Sequence, residues 1–261
     1  MFAEDEAELL LEAAADARHL EDLVARRVRG EPLEHVLGWV GFAGRRWSVG
    51  PGVFVPRRRT ELMVAAALAL PAPATVLDLC CGCGAVGGAV LLGLRAAGAD
   101  AVLHASDVEP AAVVHARRNL APLGAAVHEG DLLSVVPSVL RGRVDVLLCN
   151  APYVPTDAIA TMPPEARDHE PAVALDGGAD GLDVLRRVVA AAPGWLAPGG
   201  SLLFEVGTDQ VPGATTLVET HGLSAAVVTD DDTGGTVVVA TLDARWSGVR
   251  RGAACPPSRP A

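Results

Sequence analysis

A planar side-chain amide and a stiff turn stand next to each other at Asn150-Ala151-Pro152-Tyr153. The run before them, Val144 to Cys149, is apolar and reads as a buried strand. Pro152 and Pro155 lack backbone donors, so a sheet ladder ends there. Asn150 therefore falls at the carboxyl edge of a strand, the edge where open α/β sheets bind ligands. These groups suit the holding of a planar NH2. The Asn150 side-chain oxygen accepts one N–H. The carbonyl of Ala151, its direction set by Pro152, accepts the other, and the Tyr153 ring can lie against the flat face. A strand closed by an Asn-Pro type turn would show the same four residues, so the motif alone does not decide between the two.

A second stretch carries a different chemistry. Thr75 to Leu79 reads as a short buried strand that feeds Cys80-Cys81-Gly82-Cys83-Gly84, and a helix follows from Ala85 to about Ala97. Strand, Gly-rich turn and helix open a nucleotide-binding βαβ unit: glycine lets the backbone approach a ligand, and the helix N-terminus faces it. The next strand, Ala101 to Ser106, ends in Asp107, roughly 20 residues on, where such folds place a carboxylate on ribose hydroxyls. Gly130-Asp131 closes a further short strand, Ala125 to His128. The cysteines Cys80, Cys81, Cys83 and Cys149 invite a metal reading, but their spacing is not that of a zinc ribbon, and no metal is expected.

The elements that must position these groups follow from pattern. Residues 3–29 are acidic, rich in Ala and Leu, and apolar at helical spacing, which predicts one long helix or a helical pair stopped by Gly30 and Pro32. Residues 36–55 alternate Gly with aromatic and β-branched residues, a hairpin with Gly44-Arg45-Arg46 as its tip. Arg57-Arg58-Arg59 is expected on a solvated surface, with an anion as the other partner open to it, and an apolar helix runs from Leu62 to Leu70. Pro71-Ala72-Pro73 is a linker. Helices are expected at Pro110 to Leu120, Leu182 to Ala192 and about Gln210 to His221, with a turn at Pro198-Gly199-Gly200 and strands at Ser201 to Val206, Ser224 to Thr229 and Thr236 to Leu242. The last two strands are joined by the turn Asp230-Asp231-Asp232, so they should run antiparallel. Residues 154–180 form a polar loop too long for a plain connection; Asp168, His169 and Glu170 are candidate bases by position only, set against the reading of a solvated loop.

Composition bounds the answer. The chain has 261 residues, 50% apolar and 20% charged, enough for one sizeable α/β domain and a small appendage. Aromatics are only 3%, so the core is aliphatic. A formal net charge of -11 and a pI near 5.0 argue against a duplex nucleic-acid binder. The acidic first residues are unlike a secretory signal, and no apolar run nears the roughly 20 residues of a membrane helix. The expectation is a soluble cytoplasmic protein.

The order of elements resembles that of the seven-stranded S-adenosyl-L-methionine-dependent methyltransferases, and the motifs resemble those of the HemK/PrmC family, which methylates the side-chain amide of glutamine in proteins. The similarity covers most of residues 30–242. It is carried by Gly30-Glu31-Pro32-Leu33-Glu34-His35, Phe54-Val55-Pro56-Arg57-Arg58-Arg59-Thr60-Glu61, Asn150-Ala151-Pro152-Tyr153, His169-Glu170-Pro171 with Asp180-Gly181-Leu182, and Leu203-Phe204-Glu205-Val206-Gly207 with Gln210. The sequence departs from that family at Cys80 and Ala151, which stand where the family has Gly and Pro. Arg58 replaces the second Pro of its Pro-Arg-Pro signature, and the N-terminal helical region is short.

The resemblance implies an α/β fold: a Rossmann-like seven-stranded sheet with the last strand antiparallel, plus a small N-terminal helical segment and a β-hairpin. With the pattern of the residues, the expected division is a helical segment at 1–30, a hairpin linker at 31–55, a methyltransferase domain at 56–243 and, from its Arg, Gly, Pro and Ser without periodicity, a disordered tail at 244–261. It implies S-adenosyl-L-methionine as cofactor, held by Cys80, Cys81, Gly82, Cys83, Gly84, Asp107, Asp131, Leu132 and Asn150. It implies that Asn150, Ala151, Pro152 and Tyr153 bind the glutamine amide, with Asn150, Pro152 and Tyr153 in the catalytic role. The partner would be a glutamine-bearing protein, a release factor with its Gly-Gly-Gln loop or another translation protein. Adenine's amine presents the same two N–H bonds, so an amino-methylating DNA or RNA enzyme stays open, as does a non-catalytic binder of the cofactor.

Overall fold

The computed structural model describes residues 3–71 and 74–244 of the chain. The expected tail from 245 onward and the Ala72-Pro73 part of the linker lie outside them.

The N-terminal segment is a helical pair, α1 (Ala3–Ala13) and α2 (Ala17–Val28), and not one long helix. Asp16 breaks it: its extended backbone starts α2 and its carboxylate accepts the His19 N–H at 2.8 Å, a side-chain N-cap. A short α3 (Leu33–Leu37) completes a small apolar cluster of Leu10, Leu23, Leu33 and Val36. The hairpin is β1 (Trp39–Phe42) against β2 (Arg45–Ser48). Its tip is Ala43-Gly44, both at positive φ, so Arg45 and Arg46 belong to β2 and not to the turn as expected. A two-residue loop with both φ positive matches the right-handed strand twist, which fixes the tip there.

The chain continues through α4 (Glu61–Leu68), β3 (Thr75–Leu79), α5 (Ala85–Ala96), β4 (Val102–Asp107), α6 (Pro110–Leu120), β5 (Ala126–Glu129), β6 (Val144–Cys149), α7 (Pro164–His169), α8 (Asp183–Ala191), β7 (Leu196–Glu205), α9 (Val211–Thr220), β8 (Leu223–Asp230) and β9 (Gly235–Leu242). The large sheet has seven strands in the order β5-β4-β3-β6-β7-β9-β8, parallel except for β9, which is antiparallel to both neighbours. Its central strands β3 and β6 are buried on both faces, which is why they read as continuous apolar runs, whereas the edge strands β5 and β8 are half-buried to exposed. One apolar layer joins α4, α5, α6 and the hairpin; the other joins α8 and α9. Trp47 of the hairpin seats over α5 at Gly88, where a Cβ would stand 2.5 Å from its ring.

Two connections differ from expectation. Pro198-Gly199-Gly200 lies inside β7, where the register against β6 shifts, so the turn residues make an irregularity within a strand. The 154–180 stretch holds α7 and two 3-10 turns, Thr156–Thr161 and Ala172–Ala174. Among the described residues no helix is long and apolar enough to cross a membrane.

Candidate active site

The chain leaves β3 outward to β4 and β5, then returns to pair β6 on the other side of β3. The strand order reverses there, and the crevice above such a point is where open α/β sheets bind ligands. A cleft of about 350 Å³ opens at that edge, within the ~300–1,000 Å³ of small-molecule sites. Cys80, Cys81, Gly82, Cys83, Asp107, Asp131, Leu132, Asn150, Ala151, Pro152 and Tyr153 all line it. Gly84 is the exception among the expected residues. It is buried behind the loop as the cap of α5, where a Cβ would meet the Leu120 side chain at 2.7 Å.

On one side of the cleft, Asp107 ends β4. Its Oδ2 accepts the Gly82 N–H at 2.8 Å and its Oδ1 the Glu109 N–H at 2.9 Å. These bonds hold the carboxylate against the loop, while burial pushes its pKa up. Cys80 sits at φ +53, a backbone region that favours glycine, so the thiol-bearing residue adopts what a glycine would adopt freely. Asp131 pairs with Arg187, and Ser106 Oγ donates to the Leu132 carbonyl at 3.2 Å. Asp78 was not singled out from sequence. It is buried in β3, lines the cleft, accepts the Gly87 N–H at 2.9 Å, and is pushed up to about 7 by its burial. The signal for it was an acid inside an otherwise apolar strand.

Opposite stands the Asn150–Tyr153 turn. Among the described residues the Asn150 amide has no hydrogen-bond partner, so its groups are free for a ligand. The turn is held from behind. Tyr153 donates its hydroxyl to Glu205 Oε1 at 2.7 Å and accepts from Arg59 Nη2 at 2.6 Å. Arg59 Nε also donates to Glu205 Oε1 at 2.8 Å, and Thr60 Oγ1 donates to Oε2 at 2.6 Å. Burial and the neighbouring carboxylate keep the Tyr153 hydroxyl protonated far beyond its usual range. Gln210 Nε2 donates to the carbonyls of Tyr153 and Asp180, both at 2.9 Å, stitching the turn to the loop before α8.

The arginine run is therefore not a solvated surface. Arg59 is part of this network, Arg57 donates to Glu170 Oε1 at 2.6 Å, and Arg58 alone of the three is exposed. Glu170 is not solvated either: its side chain is fully buried, and the same oxygen accepts the Val55 N–H at 3.1 Å. His169 and Asp168 do not line the cleft. No group of three or more His, Cys, Asp or Glu side chains among the described residues is arranged to hold a metal ion.

The family description "Methyltransferase small domain" fits residues 50–163. A release factor glutamine methyltransferase from Geobacter sulfurreducens is 41% identical over 191 residues, 72% of this chain and 65% of that protein. One from Cereibacter sphaeroides is 40% identical over 219 residues, 82% of this chain and 76% of that protein. The chain belongs to the release factor glutamine methyltransferase family. A solved methyltransferase from Pyrococcus furiosus shares the fold, with a TM-score of 0.56 at 14% identity, covering 85% of this chain and 99% of that one.

Against the methyl donor of such enzymes, S-adenosyl-L-methionine, the cleft fits. Beside Gly82 the space a Cβ would take is open, with nothing nearer than the Phe54 carbonyl at 4.0 Å. Asp107 offers a carboxylate at the strand end for hydroxyls, and Val86, Val108 and Leu132 supply apolar walls for a flat base. The family's Pro at position 151 is Ala here, buried at 2% exposure. The turn is instead braced from the following loop, where Val154 N–H donates to Leu175 and Gly177 N–H to Val154.

Proposed function

We propose that this chain transfers a methyl group from S-adenosyl-L-methionine to the side-chain amide nitrogen of a glutamine in a protein, and that the protein is a peptide chain release factor met in the cytoplasm. The observation that supports it most is that the free amide of Asn150 and the Cys80–Cys83 loop with Asp107 face one cleft. Bound there, S-adenosyl-L-methionine supplies an electrophilic methyl group. Asp107 would hold its hydroxyls, the loop and Asp131-Leu132 would flank the rest of it, and Asn150 would face both it and the substrate amide.

An amide nitrogen is a poor nucleophile because its lone pair is delocalised. The Asn150 oxygen and the Ala151 carbonyl accept its two N–H bonds and favour the charge distribution that leaves the lone pair on nitrogen. That grip strengthens as positive charge builds on nitrogen, so it lowers the barrier rather than only tightening binding. Orientation is the other large term, up to about 7–11 kcal/mol in favourable systems. Here it comes from the buried Glu205, which fixes Tyr153 and with it the turn. No base is assigned. Glu170 is locked on Arg57 and Val55, and the alkylated nitrogen is acidic enough to release its proton to solvent.

The test is methyl transfer from labelled S-adenosyl-L-methionine to a release factor. Label should appear on the intact Gly-Gly-Gln protein and be absent when that glutamine is replaced by alanine. Label that moves instead into nuclease-sensitive material would place the amine on a nucleic-acid base and overturn the assignment.

A further inference from the structure

The thiols at the cleft have no part in that mechanism. Cys80, Cys81, Cys83 and Cys149 are all free. The backbone brings two of them together from different strands. Leu79 is the register partner of Cys149 across β3 and β6. Had β3 continued extended, the next side chain would point to the opposite face. The positive φ at Cys80 turns it back, and Cys80 and Cys149 pack in the same apolar layer with Leu77, Leu79 and Leu147. The two side chains therefore stand on the same side of the sheet, at the ends of neighbouring strands. Strands roughly 4.8 Å apart with a one-residue step of about 3.3 Å put the two Cα atoms about 6 Å apart, inside the ~4.4–6.8 Å span of disulfides.

We propose that Cys80 and Cys149 form a reversible disulfide that ties the loop of the cleft to the end of β6 and weakens cofactor binding. Cys80 lines the cleft and is partly exposed, so an oxidant reaches it, whereas Cys149 is fully buried and serves as the resolving thiol. With a hydroperoxide as oxidant, the Cys80 sulfur attacks the distal peroxide oxygen. The O–O bond breaks, and the products are a sulfenic acid and an alcohol. The Cys149 sulfur then attacks the Cys80 sulfur; the S–S bond forms, the S–O bond breaks, and water leaves with the Cys149 proton. Two electrons pass from two thiols to one peroxide. A small dithiol reverses the bridge by exchange. The Cys149 contact and burial keep the Cys80 thiol protonated well above its usual range, so the oxidation is slow.

A bond between the two sulfurs ties both walls of the cleft to each other and takes away their freedom to adjust to a ligand. Cys80 lies two residues before Gly82, whose N–H is fixed on Asp107, and Cys149 directly precedes Asn150. The effect on cofactor affinity depends on the function proposed above; the bridge itself does not.

The test treats the full chain with tert-butyl hydroperoxide, blocks free thiols, and digests without reduction. The chain has no lysine, so trypsin cuts only after arginine and yields Thr60–Arg95 and Val144–Arg167. These two should appear joined, with fragment ions placing the bridge on Cys80, and should separate on dithiothreitol. Affinity for S-adenosyl-L-methionine should fall by at least about tenfold on oxidation and return on reduction, while C149A shows neither the bridge nor the loss. A bridge from Cys80 to Cys81 or Cys83, oxidation of Cys80 alone, or four thiols that all remain free would overturn the proposal. A confirmed bridge with unchanged affinity would overturn its regulatory half. A reduced chain that binds no cofactor at all would instead refute the function proposed above, with the peptide map still deciding the bridge.

Discussion

Replacing Asp78 by asparagine should stabilise the protein at and above neutral pH and remove a pH dependence that the natural chain carries. The carboxyl is 2% exposed and receives one backbone hydrogen bond, from Gly87. Burial, with the Asp107 carboxylate adding to it, raises its pKa from the ordinary 3.8 to about 7. The folded protein thus holds this proton more tightly than the unfolded chain. Its contribution to stability is complete below pH 3.8, is lost as pH rises, and is gone above about 7. Over roughly three pH units at about 1.4 kcal/mol each, the loss is roughly 4 kcal/mol. That is a large share of the ~5–15 kcal/mol that holds a domain together. Asparagine still accepts from the Gly87 N–H with its amide oxygen but is never charged. Urea unfolding of both proteins between pH 5 and 9 reads the effect as a difference, in which the other carboxylates cancel. The advantage of Asp78→Asn should grow by about 1.4 kcal/mol per pH unit up to pH 7 and then level off. A difference that is flat over this range, or that shrinks as pH rises, would show that Asp78 is ionised in the folded protein and that the reasoning from burial is wrong.

Other substitutions separate the two halves of the cleft. Asn150→Ala should abolish turnover and spare most of the affinity for S-adenosyl-L-methionine, whereas Asp107→Ala should weaken that affinity first, by the ~1.5–3 kcal/mol of a charged hydrogen bond. Calorimetry and initial rates decide, and the reverse pattern would mean the subsites are exchanged. Tyr153→Phe and Glu205→Gln should each lower kcat about 10- to 100-fold at unchanged cofactor affinity, with a coupling of about 1 kcal/mol or more in the double-mutant cycle. Strict additivity would show that the hydroxyl does not act through Glu205. Gly181→Ala places a Cβ 2.2 Å from the Tyr153 carbonyl at a φ of +76. It should cost about 1–3 kcal/mol in backbone strain alone and lower the Tm by several degrees, with a larger fall in kcat; a variant as active as the natural protein would show that the loop does not brace the turn.

What was legible in the sequence is what depends on residue type and local spacing. The strands at Thr75–Leu79 and Val144–Cys149 and the helix at Pro110–Leu120 stand where apolar pattern and Pro or Gly boundaries put them. The ligand-facing residues at their ends could be named because an amide, a carboxylate and a glycine each suit one task. The hairpin tip and the Pro198-Gly199-Gly200 irregularity were misplaced because turn chemistry marks a bend in the chain without saying whether a strand resumes through it.

The charges behind the turn failed for a different reason. An Arg run or a loop Glu in a sequence is usually solvated, and nothing local to Arg57, Arg59 or Glu170 names the partner that makes each an exception. Each becomes buried or half-buried only because a partner arrives from far along the chain: Glu170 lies 113 residues from Arg57, and Glu205 lies 146 from Arg59. No local pattern encodes such a pairing. The family motifs contain these residues but not the pairs they form. The pairing also explains how the turn keeps its shape with Ala151 in place of proline. A rigid ring would fix the backbone from within, by limiting φ. Here the restraint comes from outside, through the Tyr153 hydroxyl on a buried carboxylate and the Tyr153 carbonyl on Gln210. A restraint of that kind leaves the Asn150 and Ala151 groups on the cleft side unencumbered, which is the condition the proposed chemistry imposes on them.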